Sequence, residues 1–479
     1  MAEAQNNVPI LNRKEWQTMM PALTSTAAGS FIVADDSGEQ DYALYMATNT
    51  VHYLYSHSQD DWLQIPSGAF AVALAAGCCG TYLPWSVPYT ATGGTTTTVT
   101  VAAASFNING TVVGKTIEFL SGTAANVGLR RTVLSILSDS GIGTITLTLD
   151  SAVGAVVANA DTFRIKSGSF FVLNAGTLAA TNYFKRFDIG TMVWTNLAVT
   201  GLPATWGTDG KLISPYLGTV AYDIGTATSG SSTTLVVSTA TWTASQWVNY
   251  QVRITAGTGR GQKRVITAST GTTLTFAAGA TIDATSEFVI EGDENAIYAM
   301  GNNAVTLYKY SISGNTTATV TPSSARAGAP IAGMTAAFVG QTGNAGWANT
   351  SNIKDGRYIY SIRGGTTVID RYDIATLAWL PTTGVNYISP TTFATGDSMF
   401  WSGEFLYIAK EGTAAIPQRF YRYSVVGNYI EGVTTDWYLN GAALLGTKMW
   451  VKDLSSAGVV KWLYNLGSTS TNLRRIMLY

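Results

Sequence analysis

The sequence predicts an all-β fold, a six-bladed β-propeller that carries two small β insertions, and three observations lead there. An aromatic residue followed by a small polar one recurs six times: Tyr55-Ser56-His57, Phe187-Asp188-Ile189, Tyr310-Ser311-Ile312, Tyr372-Asp373-Ile374, Tyr423-Ser424-Val425 and Tyr464-Asn465-Leu466. Each follows an apolar, strand-like segment, and in three copies a Trp stands seven residues on, at Trp62, Trp194 and Trp379. A second pattern is an internal duplication between the early repeats. The third is the near absence of helical composition, confined to residues 13–20 and ended by Pro21. A hairpin repeated at a fixed period cannot bury its own apolar face, so neighbouring units must stack around an axis.

The duplicated stretches are residues 94–167 and 228–291. Thr97-Thr98-Val99-Thr100-Val101 matches Thr233-Thr234-Leu235-Val236-Val237, and Gly114-Lys115-Thr116-Ile117-Glu118-Phe119 matches Asn249-Tyr250-Gln251-Val252-Arg253-Ile254. Further on, Arg131-Thr132-Val133 matches Lys263-Arg264-Val265, and Phe163-Arg164-Ile165 matches Phe288-Val289-Ile290. Both alternate apolar and polar residues in short runs broken by Gly, Asn and Asp, which predicts a small β-barrel or sandwich in each. Removing them brings the repeat to a period of roughly 40 to 60 residues, the range of four-stranded propeller blades.

The propeller then comprises residues 1–93 with the first blade, 168–227, and 292–479 with the remaining blades. The insertions enter just before Ser169-Phe170-Phe171-Val172 and Asn295-Ala296-Ile297-Tyr298, equivalent points that put them on the same face of adjacent blades. An open radial sheet leaves unpaired edges. Ring closure is therefore expected between a strand at residues 31–34 and the last strand, at 475–479.

One blade carries a family pattern. Tyr358-Ile359-Tyr360-Ser361-Ile362-Arg363-Gly364-Gly365, then Asp370-Arg371-Tyr372-Asp373-Ile374, then Trp379-Leu380-Pro381, resembles the kelch repeat, with a diglycine after one strand, a Tyr in the next and a Trp before the turn. Elsewhere the diglycine becomes Gly301-Asn302, Asn174-Ala175 or Glu411-Gly412. The resemblance implies a kelch-like propeller outside the insertions. The insertions in turn look like small β modules of tailed-bacteriophage virion proteins.

Composition narrows the function. Charged residues make up 12% of the chain, against about 25% in ordinary soluble domains. The net charge of −1 gives no footprint for nucleic acid or an anionic membrane. Residues 1–9 are polar and do not read as a secretory signal; the most apolar stretch, 69–79, is too short to span a bilayer. Cys78 and Cys79 are adjacent and read as two buried thiols, since a vicinal disulfide is strained. Asn109, Asn315 and Asn349 begin Asn-x-Ser/Thr triplets, which chance supplies in a Thr-rich chain.

No residue reads as catalytic, cofactor-binding or metal-ligating. The two histidines, His52 and His57, are five apart, which on a strand puts them on opposite faces; surface or turn imidazoles are expected. Ser58-Gln59-Asp60-Asp61-Trp62 has the acid and Trp of a sialidase turn but not its Gly. Asn109-Gly110-Thr111-Val112-Val113-Gly114-Lys115-Thr116 imitates a phosphate loop, yet a strand follows where a helix is needed. Gly257-Thr258-Gly259-Arg260-Gly261 reads as a hairpin turn, and Asp35-Asp36-Ser37-Gly38-Glu39-Gln40-Asp41 as an acidic turn rather than a calcium loop. Arg186, Lys309, Arg371 and Arg422 precede the repeated aromatic and read as structural cations stacked on neighbouring rings.

The expectation is a non-enzymatic structural component of a tailed phage virion, such as a collar, tail nozzle, fibre adaptor or decoration protein. It needs no cofactor. Its partners would be other virion proteins and copies of itself in a symmetric homo-oligomer, in particles assembled in the host bacterial cytoplasm. The alternative is a tail or surface protein that binds a receptor or a host surface glycan; a propeller glycosidase or lyase comes third.

Overall fold

The computed structural model describes residues 17–24, 30–34, 41–68, 70, 72–75, 77–103, 112–139, 143–178, 183–207, 210–216, 222–301, 305–328, 336–338, 358–380, 392–393, 397–401, 405–410, 419–424, 429–432, 448–453, 461–466 and 473–478. All regular elements among them are β-strands, with no helix.

The repeated motif is a hairpin whose every position has a task. The polar residue after the aromatic satisfies amides of the turn: Asp373 Oδ1 accepts the N–H of Ala375 at 2.9 Å, Asp188 Oδ1 that of Thr191 at 3.1 Å, and Ser56 and Ser311 Oγ those of Gln59 and Gly314 at 3.2 Å. Short oxygen-bearing side chains do this well. Five residues after the aromatic the backbone turns left-handed, at Asp60, Met192, Asn315 and Leu377. The chain then returns so that the seventh residue faces the first. Tyr55 pairs with Trp62, Phe187 with Trp194 and Tyr372 with Trp379, with ring centroids 4.8, 4.9 and 5.3 Å apart. The spacing of seven is thus the length of the hairpin, and all six repeated aromatics are buried.

Six antiparallel sheets have four strands each. From inner to outer strand, sheet I is Phe31–Val33, Tyr42–Met46, His52–Ser56 and Asp61–Ile65; sheet II is Cys79–Leu83, Ser169–Leu173, Phe184–Asp188 and Val193–Leu197; sheet III is Lys211–Ile213, Ala296–Met300, Leu307–Ser311 and Thr316–Val320. Sheet IV is Ala336–Phe338, Tyr358–Ile362, Ile369–Asp373 and Ala378–Leu380; sheet V is Ser398–Trp401, Phe405–Lys410, Arg419–Ser424 and Tyr429–Gly432. Sheet VI takes Lys448–Asp453, Lys461–Leu466 and Leu473–Leu478 from the end of the chain and Gln17–Thr18 from its beginning.

The inner strands touch one another in sheet order, and that of sheet VI returns to Phe31–Val33. Such radial repetition is β-propeller character. The core is divided accordingly between neighbours: Leu44 and Phe187 lie between sheets I and II, Phe184 and Tyr310 between II and III, Tyr298 and Tyr372 between III and IV, Tyr360 and Tyr423 between IV and V, and Tyr55 and Tyr464 between VI and I.

The clasp differs from the sequence expectation. Phe31–Val33 does not pair with the last strand; it is the innermost strand of sheet I and pairs with Tyr42–Met46. Its three apolar residues, all buried, suit a position covered on both faces. The closing strand is Gln17–Thr18, with Gln17 opposite Arg475 and Thr18 opposite Arg474. Two residues carry no readable alternation, which is why the pattern missed them. The final strand runs Leu473–Leu478, and the described part of the stretch with helical composition is extended. From the clasp the chain crosses onto sheet I, where the Met20 N–H donates to Asp60 Oδ1 and Trp62 Nε1 donates to the Met20 carbonyl, both at 3.0 Å.

A two-stranded ribbon, Gly176–Thr177 with Thr205–Trp206, and two seven-stranded sheets complete the described fold. Module A runs from Tyr89–Thr90 to Thr162–Ile165 and module B from Asp223–Thr226 to Glu287–Glu291, so both begin upstream of 94 and 228. Each lies between the first and second strands of its sheet, A in sheet II and B in sheet III. Numbered within a module, the strand order is 1-7-4-5-6-3-2 in both. Both also share two bulges, at Phe119/Ser121 and Val133/Ser135 in A and at Ile254/Ala256 and Ile266/Ala268 in B, which bend a sheet locally. The backbone corrects the sequence match by one residue: Glu118 pairs with Arg130 and Arg253 with Lys263, so Arg130 corresponds to Lys263 and Arg131 to Arg264. The intervening turns differ in length, which hides the register.

Candidate functional site

Where the two modules stand on sheets II and III, a cleft of 820 Å³ opens between them. Its back wall is built on Trp85, just past the inner strand of sheet II. The Arg164 guanidinium lies 4.0 Å from the centre of the Trp85 ring and that of Arg130 5.2 Å from it. The indole Nε1 donates to Tyr216 Oη at 3.1 Å. The indole is thus buried under two cations.

These cations belong to a closed ring of ion pairs. Glu118 meets Arg164 at 2.6 Å and Lys263 at 3.1 Å; Glu294 meets the same two at 2.7 and 3.1 Å; Arg130 adds a contact to Glu118 at 3.4 Å. Glu118 and Arg164 come from module A, Lys263 from module B, and Glu294 from the segment entering sheet III. Burial alone would raise the Glu118 carboxyl, but Arg164, Lys263 and Arg130 outweigh it and hold it at about 2. Glu294 is also lowered by Arg164 and Lys263 against its burial. A neighbouring pair, Arg253 with Glu291 at 2.6 Å, goes the other way: burial exceeds the attraction of Arg253 and raises Glu291.

The modules also touch at equivalent turns. The Gly128 N–H donates to the Phe119 carbonyl and the Gly261 N–H to that of Ile254, at 2.9 and 2.8 Å, and the two glycines meet each other. Both have φ near +80°, at 78° and 86°. A Cβ on Gly128 would lie 2.5 Å from the Gly261 Cα. The Arg260 Nη2 crosses to the Ala125 carbonyl at 2.9 Å.

Arg186 lines the cleft from sheet II. It stands opposite Phe171 in register, with its guanidinium 5.1 Å from the ring centre. Among the described residues its hydrogen bonds reach neutral oxygens, Ser169 Oγ at 2.9 and 3.0 Å and the Trp85 carbonyl at 3.0 Å. Burial lowers its pKa despite the more distant Asp188. The equivalent cations of other sheets likewise stand opposite aromatic residues, Lys309 opposite Tyr298, Arg371 opposite Tyr360 and Arg422 opposite Tyr407. Lys309 is paired with Asp293 at 3.2 Å, and Arg371 lies 4.8 Å from the Tyr358 ring centre.

The other residues singled out from sequence lie elsewhere. His52 and His57 are buried rather than at the surface. His52 Nδ1 accepts the Gly68 N–H at 3.2 Å, its ring packs on Trp194 and Phe70, and burial pushes its pKa down to about 4. His57 Nδ1 donates to the Asp41 carbonyl, and its ring stands edge-on to Tyr55 and Tyr464. Both imidazoles fill space between sheets, a use that strand parity does not foretell. Cys78 and Cys79 form no disulfide with each other; Cys79 is buried as expected, whereas Cys78 is only half-buried, and its Sγ donates to Asn174 Oδ1 at 2.7 Å. Asp60 of the Ser58–Trp62 stretch accepts the Tyr55 hydroxyl at 2.7 Å. Thr116–Ser121 is a strand, and Gly257, Gly259 and Gly261 all have positive φ, as a turn requires. Residues 35–40 and 109–111 lie outside the described residues. Among the described residues no three His, Cys, Asp or Glu are grouped to hold a metal.

Sequence reasoning missed the ion ring. One signal was available: aligned positions in the duplicated modules carry opposite charges, Glu118 and Arg253.

No family model matches the chain, and no curated protein matches it. Solved structures align along almost its whole length at low similarity. YCF48 bound to D1 peptide is 8% identical, with 98% of this chain and 96% of that one covered and a TM-score of 0.34. The RRP9 WD40 repeats are 6% identical, covering 97% and 100%, also at 0.34. Saccharomyces cerevisiae Sqt1 is 10% identical, covering 97% and 99%, at 0.33. The propeller character rests on the strand arrangement.

Proposed function

We propose that this chain is a non-enzymatic structural protein of a tailed phage virion. In this reading the six four-stranded sheets are the blades of one kelch-like propeller, and modules A and B are insertion domains through which it contacts its neighbours. The observation that carries the reading is the ring Glu118–Arg164–Glu294–Lys263. It spends the buried charges of the cleft on fixing two modules to each other and to sheet III, as a rigid assembly element needs. Partners would be other virion proteins and further copies of the chain about a symmetry axis. A saccharide-binding role has less support, because cations already cover the Trp85 and Phe171 rings at the cleft and leave no bare platform for a sugar.

Peptide mass mapping of purified particles, with electron microscopy of the same particles, tests this. The chain is expected in fixed multiple copies at one symmetric position. Its absence from washed particles overturns the reading, and so does sustained release of reducing ends when the purified chain is incubated with bacterial surface polysaccharide.

A further inference from the structure

We propose that the cleft between modules A and B binds an acidic, extended segment of a partner protein, with a carboxylate of that segment seated on Arg186. Charge is the first argument. Four cations line the cleft, Arg164, Arg186, Lys263 and Arg264, against two carboxylates, Asp293 and Glu294. Glu118 stands behind Arg164 and Lys263, so an excess of one positive charge remains, although the whole chain has a net charge of −1.

The second argument is which groups are already used. Arg164 and Lys263 are held by glutamates and Asp293 by Lys309. Arg186 is 7% exposed, and no carboxylate among the described residues lies within ion-pair distance of it. A guanidinium in that state gains most from an incoming carboxylate, which it meets with the Nη1 hydrogens not already given to Ser169 and Trp85.

An unspent neutral group points the same way. Asn315 Oδ1 accepts the Ala198 N–H and the Tyr310 hydroxyl, both at 2.8 Å. Its Nδ2 donates to nothing among the described residues, and the residue is exposed on the cleft wall. The group left over is a donor, which selects a ligand rich in acceptors. Backbone carbonyls beside a carboxylate supply that. Leu83, Phe171 and Ile312 add apolar wall for the flanking side chains. At 820 Å³ the cleft falls within the ligand-sized range of about 300–1,000 Å³.

The test uses the full chain and fluorescence anisotropy with fluorescein-labelled octapeptides. Each carries one Asp or Glu among Leu and Val, and its counterpart carries Asn or Gln instead. Acidic peptides are expected to bind saturably, their amide counterparts about tenfold more weakly or less, and added salt to weaken the acidic ones. Asn315→Asp keeps the acceptor for Ala198 and Tyr310 and brings a negative charge to an exposed position on the cleft wall; it is expected to weaken binding about tenfold with an unchanged melting temperature. Arg186→Lys keeps the charge but loses the Nη1 donors, and a several-fold loss is expected.

Equal binding of acid and amide peptides overturns the proposal, as does full affinity in Asn315→Asp. So does no binding by any peptide of the set. Displacement of the peptides by inorganic phosphate at comparable concentration would reduce the cleft to a simple anion pocket, and tighter binding of sialyllactose than of every acidic peptide would assign it to glycans. Each of these outcomes leaves the virion reading untouched, and absence from particles leaves the peptide result standing.

Discussion

Modules A and B have the same strand order and the same two bulges, yet equivalent positions carry different charges. Where A has Glu118, B has Arg253; where A has Arg164, B has Val289. In A the acid sits at the centre of three cations and is held at about 2. In B the acid, Glu291, has Arg253 as its partner, and burial prevails. Two copies of one fold can thus divide the labour of an interface: one supplies the anchored anion, the other a cation that crosses to it. A symmetric pair with Glu at both positions would gather unpaired carboxylates at the contact, and a pair with Arg at both would gather guanidinia. Divergence in charge, rather than in shape, makes the two modules complementary.

The comparison is broken most severely at Glu118. Glu118→Gln leaves Arg164 and Lys263 buried with one carboxylate fewer and is expected to cost about 3–5 kcal/mol; Arg253→Gln, which leaves an acid that burial already favours in protonated form, about 1–2 kcal/mol. Guanidinium denaturation midpoints of the two variants measure the gap, and equal losses would refute the division of labour. Acid is the next lever. Glu118 is lowered in the folded chain from 4.5 to about 2, so its contribution is complete above the unfolded value and disappears as pH falls from there toward 2. Glu291 is raised, so its ionised form opposes folding at neutral pH and that opposition fades on acidification. A melting series across this window is expected to show a steep acid limb in the native chain, flattened in Glu118→Gln and retained in Glu291→Gln.

The paired glycines give a smaller effect. Gly128→Ala is expected to cost about 3 kcal/mol, from the left-handed backbone and the close Gly261 Cα together. Gly261→Ala has its nearest contact at 3.0 Å and should cost about 2 kcal/mol, with both values read from thermal melts. The smallest difference lies at the corresponding positions Gly114 and Asn249, both left-handed. Asn249 Nδ2 donates to the Ile374 carbonyl of sheet IV at 2.6 Å, whereas a Cβ on Gly114 meets nothing within 4 Å. Asn249→Gly is expected to cost about 1 kcal/mol, and Gly114→Asn less than about 0.5 kcal/mol. Hydrogen exchange at Thr376 and Leu377 would sharpen this by showing faster opening in the first variant alone.

What the sequence disclosed was what repeats. The aromatic, the polar residue after it and the Trp at seven recur because each sheet needs the same hairpin, so the same physics wrote them several times. The two modules were legible for the same reason. Features that occur once were not. Gln17–Thr18 is too short to have a period, and the burial of His52 and His57 depends on rings from other sheets. The ion ring joins Glu118 to Lys263 and Arg164 to Glu294 across long stretches of chain, and such pairing leaves no local trace. The one-residue slip in the match near Arg131 had a related cause: similar residues align wherever turn length is free, and the hydrogen-bond ladder alone fixes the register.

The strand Gln17–Thr18 lies antiparallel to Leu473–Leu478, and this has a mechanical meaning. The entering end of the first and the leaving end of the second sit on the same side of the sheet. Tension applied through residues before Gln17 and after Leu478 would therefore peel their hydrogen bonds one after another instead of loading them together. Pulled by its tails, the ring would part like a zip at modest force, whereas a load borne on its faces would leave that seam unstressed.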